Sequence, residues 1–169
     1  MSAAGSRWSI ALRRFLKFLH ELGSVGLLGT LAAHLILIVL ARREAPAQAL
    51  VLRRCMVALV EWAMVPSVLV VVFSGLIATF ISRQLRNALW VWLKVGLGIP
   101  VAQVCLGPVR SGAREAAALM AQALAGHPDP EALGEALYRE WAGLWMVIVI
   151  SLLNIALAIW RPRMVTAKS

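Results

Sequence analysis

The chain has 169 residues, of which 61% are hydrophobic and 15% are charged, with a mean hydropathy of +0.81. Soluble domains contain about 45–50% apolar and about 25% charged residues, so this composition excludes a soluble globular protein and indicates an integral membrane protein. The formal net charge of +9 comes mainly from arginines grouped at the ends of apolar runs, where they contact anionic headgroups, and this placement argues against nucleic-acid binding.

The first predicted span, at about residues 15–41, is the stretch around which the chain is organised. It has no charged residue from Leu22 to Ala41, and at ~1.5 Å per residue this run crosses the ~30 Å hydrocarbon core of a bilayer. His20 and His34 are fourteen residues apart, which places them within about 40° of each other on one helical face. The same face carries a stripe with small residues that would let a second helix or a flat ligand approach the backbone: Gly23, Leu27 and Thr30.

Three further apolar runs predict spans at about 56–81, 88–106 and 141–160. The segment at about 109–140 is too polar to span, and it predicts an extramembrane helical hairpin between the third and fourth spans. Its turn is marked by Gly126 as a C-terminal cap, Asp129 as an N-cap and Pro130 at the first helical position. The predicted fold is therefore all-α, a single four-helix transmembrane bundle, with the last helix continuous from Pro130 into the membrane.

The lysines and arginines outside the spans predict the orientation. Nine lie on the side of the two termini and seven on the opposite side, which favours a bacterial inner-membrane protein with both termini in the cytoplasm. The nine are Arg7, Arg13, Arg14, Lys17, Arg83, Arg86, Arg161, Arg163 and Lys168.

Ionisable side chains inside a bilayer are costly unless paired, so they are the first candidates for a site. His34 lies eight residues before Arg42, and Glu61 lies seven residues after Arg54. If the first two spans are antiparallel neighbours, the two side chains lie at the same depth, which predicts a His34–Glu61 hydrogen bond. Such a pair either fixes the register of the helices or relays protons.

A second polar pair is predicted toward the other leaflet. Lys94 lies eight residues after Arg86, at the depth of Glu21, so the two side chains either form an ion pair or Lys94 extends outward to the headgroups.

The two cysteines open the second span and close the third, so they lie on the same side of an up-down bundle. Cys55 and Cys105 would allow a disulfide there or stay as free thiols. Together with neighbouring soft ligands they would also suit Cu(I), namely Met56, Met120 and His127.

The opening Phe18-Leu19-His20, followed by Gly23, Gly26 and Gly29 and a long aliphatic tail, resembles the first span of the HemJ and CopD group of bacterial membrane proteins. It is still more similar to a related four-helix family of predicted bacterial integral membrane proteins of unknown function. In the HemJ branch the histidine that follows a leucine in the first span binds haem b, so the resemblance implies that role for His20 alone.

Three classes of function fit these patterns. The sequence has no nucleophile elbow, phosphate loop or zinc motif, which favours a non-catalytic accessory, assembly or scaffold protein. The second class is a haem b-binding redox protein that uses His20 and His34, which are ~21 Å apart along the helix and would place one ligand near each leaflet. Its facing histidines would come from a homodimer through the first span. The third class is a permease for a small solute or copper.

Overall fold

The computed structural model describes residues 3–82 and 89–160, and in this part of the chain it contains helices and no strand. Four long helices each carry a stretch that is long and apolar enough to cross a membrane, so the predicted all-α bundle with four spans is confirmed. Two of them include a short π-helical segment. The elements are α1 (Ala3–Ala41), α2 (Pro46–Leu59), π1 (Val60–Met64), α3 (Val65–Ile81), α4 (Leu89–Val104), π2 (Cys105–Val109), α5 (Arg110–Leu124) and α6 (Pro130–Trp160).

The helices extend beyond the apolar runs that predicted them. The second long helix begins at Pro46, ten residues before the predicted span, because proline is well suited to the first helical turn. The connection to α1 is therefore only the short turn at 42–45. The third long helix continues through π2 into α5 without a break, and α6 is continuous from Pro130, as predicted. Residue 88, the predicted start of the third span, lies outside the described residues, as do residues 83, 86, 161, 163 and 168 of the orientation count.

The turn between α5 and α6 has the caps that the sequence predicts. Gly126 adopts a φ of +90°, a backbone conformation that residues with a side chain rarely enter. The Asp129 carboxylate accepts a hydrogen bond from the Ala132 amide at 3.0 Å, and Pro130 is the first residue of α6. This turn fixes where the third helix ends and the fourth begins.

Each π-helical segment is associated with a proline. Pro66 has no N–H to donate to the carbonyl of Trp62, and its ring would press on that carbonyl, so the helix widens in π1. Pro108 lies inside π2 and has the same relation to Val104. Since a π segment adds a residue to one turn, both helices re-aim the side chains that follow.

Close backbone packing holds neighbouring helices together. A Cβ atom on Gly23 would lie 2.9 Å from Val71 Cγ2, so at this position of the small-residue stripe a helix approaches the backbone, which is one of the two predicted alternatives. A Cβ atom on Gly112 would lie 2.8 Å from the carbonyl oxygen of Ala136, which brings α5 against α6. The core between the helices is aliphatic and contains the fully buried Met56, Met64, Val68, Leu144 and Val147.

Candidate functional site

Three polar side chains from three different helices meet in the interior and form what we call the buried triad: His34 of α1, Arg53 of α2 and Glu140 of α6. Their exposed fractions are 0%, 6% and 1%. His34 Nε2 lies 2.7 Å from Glu140 Oε1, and Arg53 Nη1 donates to Glu140 Oε2. Because the carboxylate is ionised beside the guanidinium and can only accept, His34 Nε2 carries the proton and donates it to this bond.

The helices bring the triad together at one level of the bundle. His34 lies seven residues before the end of α1, and Arg53 lies seven residues after the start of α2, so the antiparallel helices place them side by side. Glu140 immediately precedes the apolar run of the fourth helix. The absent side chain of Gly112 lets α5 approach the backbone of Glu140, whose amide nitrogen would lie 2.9 Å from a Cβ atom there.

Arg53 and Glu140 compensate each other's charge within the triad. The other ring nitrogen of His34, Nδ1, is buried and has no hydrogen-bond partner among the described residues. The arrangement can therefore tie three helices together through one shared carboxylate.

The predicted His34–Glu61 hydrogen bond is wrong, because each side chain has another partner. His34 contacts Glu140, and Glu61 accepts two hydrogen bonds from Arg110, at 2.8 Å to Nε and 2.8 Å to Nη2. The prediction counted depth from Arg54 as the start of the second helix. Since that helix begins at Pro46, Arg53 and not Glu61 is the residue that meets His34 at the triad.

Glu61 instead belongs to a second polar cluster at the outer surface of the bundle, which we call the arginine cluster: Glu61, Arg110 and Arg114. The bidentate Arg110–Glu61 pair joins the second helix to the third, and Arg114 Nε lies 2.6 Å from Glu61 Oε1. Glu61 is 18% exposed as a side chain, Arg110 36% and Arg114 55%. The cluster therefore has two cations around one carboxylate and is exposed at the surface of the protein.

His20 lies against α3, where it contacts backbone and hydroxyl groups. Its Nδ1 is 3.0 Å from the carbonyl oxygen of Val71 and 3.3 Å from Ser74 Oγ, and the ring packs on Gly75. Because a carbonyl can only accept, Nδ1 carries the proton, which leaves Nε2 with a lone pair.

Glu21 and Lys94, the second predicted pair, lie on α1 and α4. A direct ion pair between them stays a prediction.

The two cysteines are free thiols, Cys55 exposed and Cys105 buried, so the disulfide that their predicted positions would allow is not formed. Within residues 3–82 and 89–160, no three side chains among His, Cys, Asp and Glu gather as a metal site. Binding or transport of copper stays a prediction.

Reasoning from the sequence missed Arg53, Glu140 and the two arginines around Glu61. Glu140 stands one residue before the predicted fourth span, and Arg53 falls in a segment interpreted as a connection. The signal that would have found them is their depth counted from the true helix ends at Pro46 and Pro130, rather than from the ends of the apolar runs.

The comparisons with known proteins add one finding. A family model described as "Predicted integral membrane protein (DUF2269)" matches residues 14–162. No curated protein and no solved structure matches the chain.

Proposed function

The chain belongs to the DUF2269 family of predicted integral membrane proteins, and on that premise we propose that it is a non-catalytic accessory or scaffold protein of the bacterial inner membrane. One observation carries the proposal: Glu140 is shared between His34 and Arg53 and so connects three of the four long helices. These buried ionisable groups bind one another. Such an arrangement holds a helix bundle in one conformation.

We propose further that the buried triad keeps a helical head of the protein rigid. We define the head as residues 110–124 and 130–140, where the third and fourth helices extend past their apolar runs. Arg139 on α6 pairs with Glu115 on α5 across its surface, and Arg42 stacks over the Trp141 ring at 5.4 Å at its base. We propose that the head lies outside the bilayer and presents a fixed surface to a partner.

We propose that both termini lie in the cytoplasm, because more lysines and arginines lie on their side of the membrane. The head then lies on the periplasmic side. The partner is another membrane protein or a second copy of the chain. The outward face of α1 supports the second option, because Val25 and Ile36 are 69% and 60% exposed and no heavy atom of the described residues lies within 4 Å of a Cβ position on Gly29.

Photo-crosslinking in cells tests the accessory role. Tyr138 is 72% exposed on the head, and its replacement by p-benzoylphenylalanine keeps an aromatic ring at that position. We expect one adduct of defined mass, whose partner is identified by mass spectrometry. Phe73, 59% exposed in the membrane part of α3, is the matched control and should give lipid adducts only. A Tyr138 variant that is expressed and folded but yields no protein adduct would overturn the proposal.

Haem b binding is the second candidate, and the geometry of His20 favours it. A histidine that ligates a metal usually donates its other ring N–H to a carbonyl, which fixes the tautomer, and His20 Nδ1 has this relation to Val71. The contact with Gly75 leaves one side of the ring without a bulky side chain. His34 fits the role poorly, because its Nε2 is bonded to Glu140 and its side chain is fully buried.

A reduced-minus-oxidised spectrum of protein expressed with haem precursor tests the second candidate. Binding through His20 predicts a haem signal that is lost in His20→Ala and kept in His34→Ala. A colourless preparation, or a haem content that neither substitution changes, would contradict haem binding through His20.

A further inference from the structure

The arginine cluster stands at the level where the third helix leaves its apolar run. The segment from Leu89 to Val109 contains one charged residue, Lys94, and Arg110 follows it directly. Trp62, next to Glu61, is 84% exposed, and tryptophan is enriched at the membrane–water interface. Both observations are those expected of a site among the lipid headgroups.

The arginine cluster and its neighbouring ion pair together carry a net positive charge. Arg110 is held by Glu61 through two hydrogen bonds, whereas Arg114 contacts the same carboxylate through Nε alone and is 55% exposed. The neighbouring carboxylate, Glu115, is engaged with Arg139. Counting all five groups leaves one net positive charge at the surface, which an anion would neutralise.

A shallow surface depression of about 480 Å³ adjoins these groups. Its floor combines polar and apolar side chains: Leu106, Arg110, Ser111, Arg114, Glu115 and Ala118. Leu106 belongs to the apolar run and is 38% exposed, so along this helix an apolar side chain on the membrane side is followed by arginines on the head side. This is the order of groups that a phospholipid presents, with its phosphate above its acyl chains.

Two π-helical segments build this arrangement. Glu61 lies inside π1, and Arg110 immediately follows π2 on the facing helix. Regular α-helix at either place would rotate one partner by about 100°, away from the other. π segments of this kind occur often at functional sites, and here both flank the same ion pair.

We propose that the arginine cluster and its depression bind the phosphate group of an anionic phospholipid. Arg114 would donate to the phosphate oxygens through its Nη groups, while Glu61 positions Arg110 and limits the positive charge of the site. The acyl chains would lie along Leu106. This inference is independent of the accessory role, because it concerns lipid and not a protein partner.

The test measures bound lipid by native mass spectrometry after release of the protein from nanodiscs that contain phosphatidylglycerol and phosphatidylcholine. Arg114→Gln should lower the retention of phosphatidylglycerol about fivefold, since one arginine near an anionic surface has an effect of this size. Glu61→Gln should raise it, because the substitution removes the competing carboxylate. Arg54→Gln, an exposed arginine on α2, is the matched control and should change retention little.

The Glu61→Gln arm keeps the proposal open to refutation even where Arg114→Gln is poorly folded, because a damaged protein would not gain lipid. Lower retention in Glu61→Gln, or equal losses in Arg114→Gln and Arg54→Gln, would overturn the site. Displacement of the lipid by millimolar inorganic phosphate would also contradict it, since a free anion would then be the better ligand.

Discussion

Substitutions in the buried triad should lower the free energy of unfolding strongly. Glu140→Gln keeps an acceptor for His34 Nε2 but removes the negative charge beside Arg53. Arg53 is 6% exposed, so its guanidinium would stay in the interior without a counter-charge. Arg53→Met has the opposite effect and leaves the carboxylate with His34 alone.

The magnitude follows from the burial of both partners. Removing one partner of a buried ion pair costs about 3–5 kcal/mol, whereas replacing both by neutral groups of similar size is often nearly neutral. We therefore expect each single variant to lose about 3–5 kcal/mol and the double variant Arg53→Met, Glu140→Gln to lose less than either. In a chain of this length such a loss lowers Tm by roughly 6–20 °C.

Thermal and denaturant unfolding in detergent micelles measures these changes. Arg54→Met is the matched control, since Arg54 is exposed one residue from Arg53, and it should shift stability by less than about 0.5 kcal/mol. A double variant whose loss of stability equals the sum of the two single losses would refute the reasoning, because side chains that do not interact give independent effects.

Two smaller predictions concern the backbone. Gly112→Ala should destabilise the protein by about 1–3 kcal/mol, because its Cβ atom would lie 2.8 Å from the Ala136 carbonyl oxygen, whereas Gly98→Ala meets nothing within 4 Å and should leave stability equal or higher in the same unfolding assay. A Gly98→Ala loss as large as that of Gly112→Ala would contradict the packing. Asp129→Ala should cost about 1 kcal/mol through loss of the cap on Ala132, seen as faster amide exchange in the first turn of α6, and unchanged exchange there would show that the cap is unimportant.

The sequence predicts the apolar architecture because hydropathy and helical periodicity are local properties. The four spans, the caps at Gly126 and Asp129 and the packing face around Gly23 all follow from residue types at known spacings. Each of these features depends on one helix or one turn. None requires knowledge of which helices touch.

The polar pairs depend on the true ends of the helices, which hydropathy does not mark. The segment before Met56 is polar, so it reads as a connection, although Pro46 starts a helix there. This error put Glu61 instead of Arg53 beside His34 and left Arg53 out of the bundle. Glu140 was missed because the predicted span began one residue later.

In the proposed function the charges of the triad hold the bundle in one conformation. The most direct measurement is the photo-crosslink from position 138 in cells that carry the double variant Arg53→Met, Glu140→Gln. The double variant removes both charges and keeps a neutral hydrogen bond from His34. We expect the double variant to give the wild-type adduct at wild-type yield, and Glu140→Gln alone to give less adduct in parallel with its loss of stability. A double variant that is folded and abundant in the membrane but gives no adduct would overturn the proposed role, because the charges themselves would then be required for function.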